Sequence, residues 1–174
     1  LCQTLRECKG KYIALCEGDD YWIDNRKLQK QFNFLEQQSD VVLCASNARV
    51  NYEDGTESHL FNVSPRPSIK ETTYLSTEDF IAEEIPVHTS TVMFRNGCFD
   101  WPSYHTSCNS GDLVLITALS LKGKIAVLPD EMSVYRRNPN SVTNKMAGVA
   151  DSRSYIALFE GVNKQTNGAY QRKI

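Results

Sequence analysis

The sequence predicts an α/β fold, a mostly parallel sheet flanked by helices, and three stretches carry that expectation. A short apolar run, Lys11-Tyr-Ile-Ala-Leu-Cys16, is followed by an amphipathic pattern from Asn25 to Gln38 and then by a fully apolar run, Asp40-Val-Val-Leu-Cys-Ala45. Strand, helix and strand in that order read as a βαβ unit, whose right-handed crossover sets the two strands side by side. Further on, Asn109 to Lys122 reads as a buried helix, with strands after it at Lys124 to Leu128 and Glu131 to Tyr135, divided by Pro129-Asp130. One domain accounts for the 174 residues, and 41% hydrophobic content supports a real core.

Taken in order, Leu1 to Lys9 places Leu1, Leu5 and Cys8 on one helical face with no start signal before them and Gly10 as a stop. The chain therefore reads as N-terminally incomplete. In the helix from Asn25, the spacing of Leu28, Phe32 and Leu35 directs those three to the core. Arg49 to Glu57 reads as a hairpin turning at Asp54-Gly55, and Pro65 and Pro67 mark an irregular link. Ser76-Thr-Glu-Asp79 opens a short helix through Glu84. His88 to Arg95 alternates like a half-buried strand. Ser110 is placed to cap the buried helix, and Ala147 to Gly161 reads as a terminal helix turning Val149, Ile156 and Phe159 inward before a polar tail from Lys164 to Ile174.

A formal net charge of −2 argues against a nucleic-acid partner held by phosphate attraction. No stretch approaches the roughly 20 apolar residues that cross a bilayer. The six cysteines form no Cys-x-x-Cys pair and no metal-like spacing with the three histidines. Cys16 and Cys44 fall in apolar runs, where a reduced thiol behaves as a small hydrophobe, and a reducing cytoplasm follows. Cys98 and Cys108 flank one loop and are the pair close enough in sequence to bridge.

The chemistry concentrates in Glu17-Gly-Asp-Asp-Tyr-Trp22, where three carboxylates leave the end of the first strand together. Either they form a solvated acidic turn with Asp24 capping the next helix, or they hold a hard divalent cation, Mg²⁺ or Mn²⁺, that shares its other positions with water and phosphate. Ligands of open α/β sheets bind at the carboxyl ends of strands, which favours the second reading. A second stretch, Ser110-Gly-Asp112, opens the buried helix with a carboxylate in its first turn, stabilised in its charged form by the helix dipole.

Gly10 to Trp22 followed by Lys27-Leu-Gln-Lys-Gln-Phe-Asn-Phe-Leu35 resembles the metal-binding core of bacterial family 2 glycosyltransferases. Gly111-Asp112 with Lys122-Gly-Lys124, and then Tyr135-Arg136, is similar to that family's later motifs. The resemblance implies a GT-A-like, Rossmann-like fold. In it Asp19 is a direct metal ligand, Glu17 contacts the ribose or a metal-bound water, and Asp20 serves the turn on the donor side. Asp112 is the catalytic base, and Arg136 either neutralises the leaving diphosphate or is a surface arginine. Many members carry a histidine soon after that arginine; here the place belongs to Asn138, a weaker ligand. A Thr/Ser-rich strand lines the sugar site in the family, which brings in His88 and Ser90, while Trp22 and Trp101 are candidates for stacking on sugar. His88 as a plain spacer and Trp101 as a core residue are the alternatives.

The implied reaction is inverting transfer of a sugar from a nucleotide diphosphate, a UDP-sugar foremost, to a hydroxyl of a glycan or lipid-linked acceptor in surface polysaccharide synthesis. It is placed in the cytoplasm or at the inner face of the membrane. Residues 1–45 would belong to the nucleotide half, 46–146 to the acceptor and catalytic half, and 147–174 to a closing helix and tail. Because full-length members hold the nucleobase on earlier β-α units, the isolated chain is expected to be inactive or very weak. A non-catalytic remnant of the fold and a nucleotidyltransferase are the rival readings.

Overall fold

The computed structural model describes residues 1–61, 70–82, 87–138 and 149–171. In chain order the elements are α1 (Cys2–Glu7), β1 (Tyr12–Ala14), β2 (Tyr21–Trp22), α2 (Lys27–Gln37), β3 (Val41–Tyr52), β4 (His59–Leu60), β5 (Thr73–Leu75), α3 (Thr77–Ala82), a 3₁₀ turn at Thr89–Thr91, β6 (Met93–Arg95), a second 3₁₀ turn at Ser103–Ser107, α4 (Gly111–Ser120), β7 (Lys124–Arg137) and α5 (Val149–Gln165). Pro65, Pro67, Glu84 and Ala147 lie outside the described residues.

The long strands β3 and β7 run parallel from Val41↔Lys124 to Tyr52↔Arg137 and form the spine of a curled sheet in the order β1-β6-β3-β7-β2. The GT-A-like α/β class is the one observed, but the strand senses differ from expectation. Among the described pairings only β3 with β7 is parallel. Nor does β3 lie beside β1, because β6 enters between them antiparallel to both. The expected alternating strand from His88 to Arg95 is shorter than its pattern: Thr89–Thr91 turn as a 3₁₀ helix, Met93–Arg95 alone form β6, and Thr89 to Phe94 are all buried. Arg95 then locks the slot, donating from Nε to Val41 O (2.9 Å), from Nη1 to Tyr12 Oη (2.9 Å) and from Nη2 to Leu35 O (2.5 Å) and Gln38 O (3.0 Å).

The two strands expected around Pro129-Asp130 are one strand, β7, bent in the middle. Ala45 pairs with Val127 and Asn47 with Glu131, so Pro129 and Asp130 sit in an irregular step, where proline's missing amide N–H costs no ladder bond. Because β3 runs unbroken through residue 45, the boundary expected there falls inside a strand. The sheet buries both faces. Ala45, Ile125 and Val127 pack with Leu115, Ile116 and Leu119 of α4, whereas Cys44, Ala126 and Met132 pack with Leu35 of α2. On the far side of α4, Leu113 and Val114 meet Leu158 and Val162 of α5. There Ile156 is 56% exposed, contrary to its expected inward position, while Phe159 is partly buried against the cluster.

The inward face of α2 is likewise not the predicted one. Leu28 and Phe32 are 43% and 40% exposed, and the residues turned to the sheet are Lys27, Gln31 and Leu35. Gln31 Nε2 donates to Cys44 O and Thr91 O, both at 2.7 Å, and its Oε1 accepts from Lys27 Nζ at 2.7 Å. The Lys27 ammonium also lies over the Trp22 ring, 4.7 Å from its centroid. Burial lowers the Lys27 pKa from 10.5 to about 8. The unfolded chain keeps that proton up to about pH 10.5, so between pH 8 and 10.5 unfolding takes up a proton and this group's contribution to stability rises with pH, by on the order of 3 kcal/mol. Urea denaturation at pH 7 and pH 10 should show that rise in the parent chain and not in Lys27→Met.

The hairpin forms as predicted, with Gly55 at φ 85° and Asp54 Oδ1 accepting from Thr56 N. Ser110 does occupy the N-cap position of α4, but its hydroxyl donates to Asp112 instead of accepting from a free amide. All six cysteines are free; Cys98 and Cys108 do not bridge, and Cys98 Sγ donates to Arg95 O at 3.0 Å. Cys44 is buried as expected, its pKa pushed up to about 12 by burial, while Cys16 lies exposed beyond the end of β1.

Candidate active site

The acidic turn begins where β1 ends. Leu15 N bonds to Val92 O, the turn closes through Asp20 N to Glu17 O at 3.1 Å, and the chain re-enters the sheet as β2 against Ser133 and Val134 of β7. Gly18 keeps a negative φ, so closing this turn does not require a glycine conformation. Trp22 fastens the exit, its Nε1–H donating to Ser90 O at 2.9 Å. Asp20 folds inward: Oδ1 accepts from Arg136 N at 3.0 Å, and Oδ2 is buried with no hydrogen bond. That oxygen lies 3.5 Å from Nδ1 of His88, whose ring stacks on Tyr135 (centroids 4.0 Å apart, 28°) with Phe61 edge-on at 5.3 Å.

Glu17, Asp20 and His88 each offer a ligand atom, and these atoms lie within 4.8 Å of one another. Burial holds His88 neutral, its pKa down at about 4, although the charges of Asp112 and Asp19 oppose the shift. Glu17 moves the other way, to about 7, through desolvation of its carboxyl and then through repulsion from Asp112, Asp20 and Asp19. Asp20 is also raised, burial and the charge of Asp19 outweighing the Arg136 amide, the Ser90 hydroxyl and the Arg136 charge. The chemistry of this donor set, two carboxylates and a neutral imidazole with one orphaned buried oxygen, fits a divalent cation.

Asp112 faces the same space. It opens α4, where its Oδ1 accepts from Ser110 Oγ (2.5 Å) and its Oδ2 from Thr89 Oγ1 (3.1 Å). A cavity of about 470 Å³ has Glu17, Thr89 and Asp112 on its polar side and Leu5, Ile13 and Leu15 on its apolar side. Asp19 is exposed, with its carbonyl accepting from Arg136 Nε. Arg136 Nη1 lies 3.6 Å from Glu53 Oε1, and Asn138 Nδ2 donates to Glu53 Oε2.

The structure thus gathers Glu17, Asp19, Asp20, His88 and Asp112, with Arg136 beside the turn. Two of the sugar-contact candidates are turned toward the interior. Ser90 is 0% exposed, its hydroxyl against His88 Nδ1 at 3.0 Å, and Trp101 is partly buried against the core, its ring between Phe99 and His105. Trp22 spends its N–H on Ser90 and its ring on Lys27, so its place is beneath the turn. His88 does make the hydrogen bonds of a spacer, to Ser90 Oγ and N, but the sequence did not show its enclosure, because the rings around it, Phe61 and Tyr135, come from distant segments. The one local signal was a histidine opening a run of hydroxyl residues ahead of a buried strand.

The profile of Glycosyl transferase family 2 matches residues 2–142. Uncharacterized protein Mb1547 of Mycobacterium bovis and Uncharacterized protein Rv1520 of Mycobacterium tuberculosis are each 34% identical to the chain over 142 residues, which is 80% of this chain and 38% of the relative. The chain therefore spans well under half the length of the curated relatives it matches. With the match running from α1 through the acidic turn, Asp112 and the end of β7, the chain belongs to glycosyl transferase family 2.

Proposed function

We propose that this domain transfers a sugar, with inversion, from a nucleotide diphosphate to a hydroxyl acceptor. The observation that carries the reading is the shared cleft: Glu17 of the acidic turn and Asp112 at the head of α4 line one cavity of about 470 Å³. The acceptor hydroxyl gives its proton to Asp112 as its oxygen bonds to the anomeric carbon and the bond from that carbon to the diphosphate breaks. Thr89 and Ser110 aim the carboxylate by donating one hydrogen bond to each of its oxygens. Arg136 stands beside the turn to offset charge on the departing diphosphate. A divalent cation, Mg²⁺ or Mn²⁺, supplies Lewis-acid stabilisation of that leaving group when bound.

A UDP-sugar as donor and a glycan or lipid-linked acceptor, met in the cytoplasm or at the inner membrane face, complete the proposal. Among the described residues no helix is long and apolar enough to cross a membrane. Titration calorimetry of the chain with a panel of nucleotide sugars, with and without Mn²⁺, tests it. The expected result is heat that depends on the metal and on the diphosphate; no heat with any donor overturns the reading for this chain.

A further inference from the structure

We propose that the cation ligands of this chain are Glu17, Asp20 and His88, with Asp19 outside the set, and that the imidazole makes the site prefer a first-row transition-metal ion to Mg²⁺. The inference deepens the proposed function and rests on it only for the need of a cation beside a diphosphate. The family resemblance pointed to Asp19, but the fold presents the other aspartate. The Asp20 side chain is 1% exposed, one oxygen bonded to the Arg136 amide and the other buried without a hydrogen bond. A buried carboxylate oxygen without a hydrogen bond calls for a partner, and a cation is one that would satisfy it. None of the described lysines or arginines forms an ion pair with Glu17, Asp20 or Asp112.

His88 supplies the third donor from a fixed position. Its ring is held between Tyr135 and Phe61, and its Nδ1, 3.5 Å from Asp20 Oδ2, also meets the Ser90 hydroxyl at 3.0 Å and accepts a long bond, 3.4 Å, from Ser90 N, so a bound cation would take the place of the Ser90 hydroxyl at that nitrogen. The three donor atoms lie within 4.8 Å, whereas neighbouring ligands of an octahedral ion sit about 3 Å apart. Glu17, the exposed member, is the arm that closes the difference. Mg²⁺ takes oxygen ligands and keeps its waters, and an imidazole nitrogen shifts preference toward first-row transition ions.

Calorimetry of the 174-residue chain with MnCl₂ and MgCl₂, without nucleotide, reads the site directly. Mn²⁺ is expected to bind at least about tenfold more tightly than Mg²⁺. His88→Ala and Asp20→Asn should each weaken Mn²⁺ by about tenfold or more, and Asp19→Asn by less than about threefold. No Mn²⁺ binding at millimolar concentration, equal affinity for the two ions, or loss on Asp19→Asn with His88→Ala unchanged overturns the proposal. Because His88 and Asp20 are interior, a second measurement uses the unaltered chain. With ring-¹⁵N histidine and Zn²⁺ as a diamagnetic probe, the Nδ1 signal of His88 should move while those of His59 and His105 stay. A His88 signal that stays fixed at saturating Zn²⁺ overturns it equally. Neither readout involves a sugar, so failure of sugar transfer leaves this result standing, and failure here leaves the role of Asp112 untouched.

Discussion

Asp112→Asn, in the complete protein, should lower turnover by about 10²–10⁴-fold while nucleotide-sugar affinity stays within about threefold. The amide is nearly isosteric with the carboxylate and keeps one oxygen to accept from Ser110 or Thr89, so α4 should start where it does now. What it lacks is the capacity to take a proton as the acceptor oxygen attacks. Steady-state kinetics paired with calorimetric donor affinity separates the possibilities, since a parallel fall in binding and turnover would reduce Asp112 to a structural role.

The largest expected effect on stability lies under the turn. Gln31→Leu should cost at least about 3 kcal/mol, because it strips the amide donors from Cys44 O and Thr91 O and removes the acceptor of a buried ammonium. Lys27→Met should be close to neutral at pH 7, since it removes a buried charge and fills similar volume. Urea midpoints of the two variants test this contrast. A Gln31→Leu cost below about 1 kcal/mol would mean that the two carbonyls are satisfied without the glutamine.

That same helix shows where sequence reading reaches and where it stops. Leu28, Phe32 and Leu35 have the right spacing for a core stripe, yet the fold turns Lys27 and Gln31 inward, because a glutamine that serves two backbone carbonyls and shelters a lysine satisfies polar needs that periodicity does not register. The acidic turn between strand and helix, the Asp54-Gly55 hairpin and Asp112 at the head of an apolar helix were legible because each is a local pattern. The entry of β6 between β1 and β3 was not, since it depends on Arg95 reaching groups more than fifty positions earlier in the chain. For His88 the chemistry was visible and the enclosure was not.

The reach of Arg95 also bears on motion. Its guanidinium grips Tyr12, on the strand entering the acidic loop, and the carbonyls that finish the helix leaving it. With β2 also paired to β7 and Trp22 bonded to Ser90, any opening or closing on cargo has to be absorbed by the short arc between Leu15 and Tyr21.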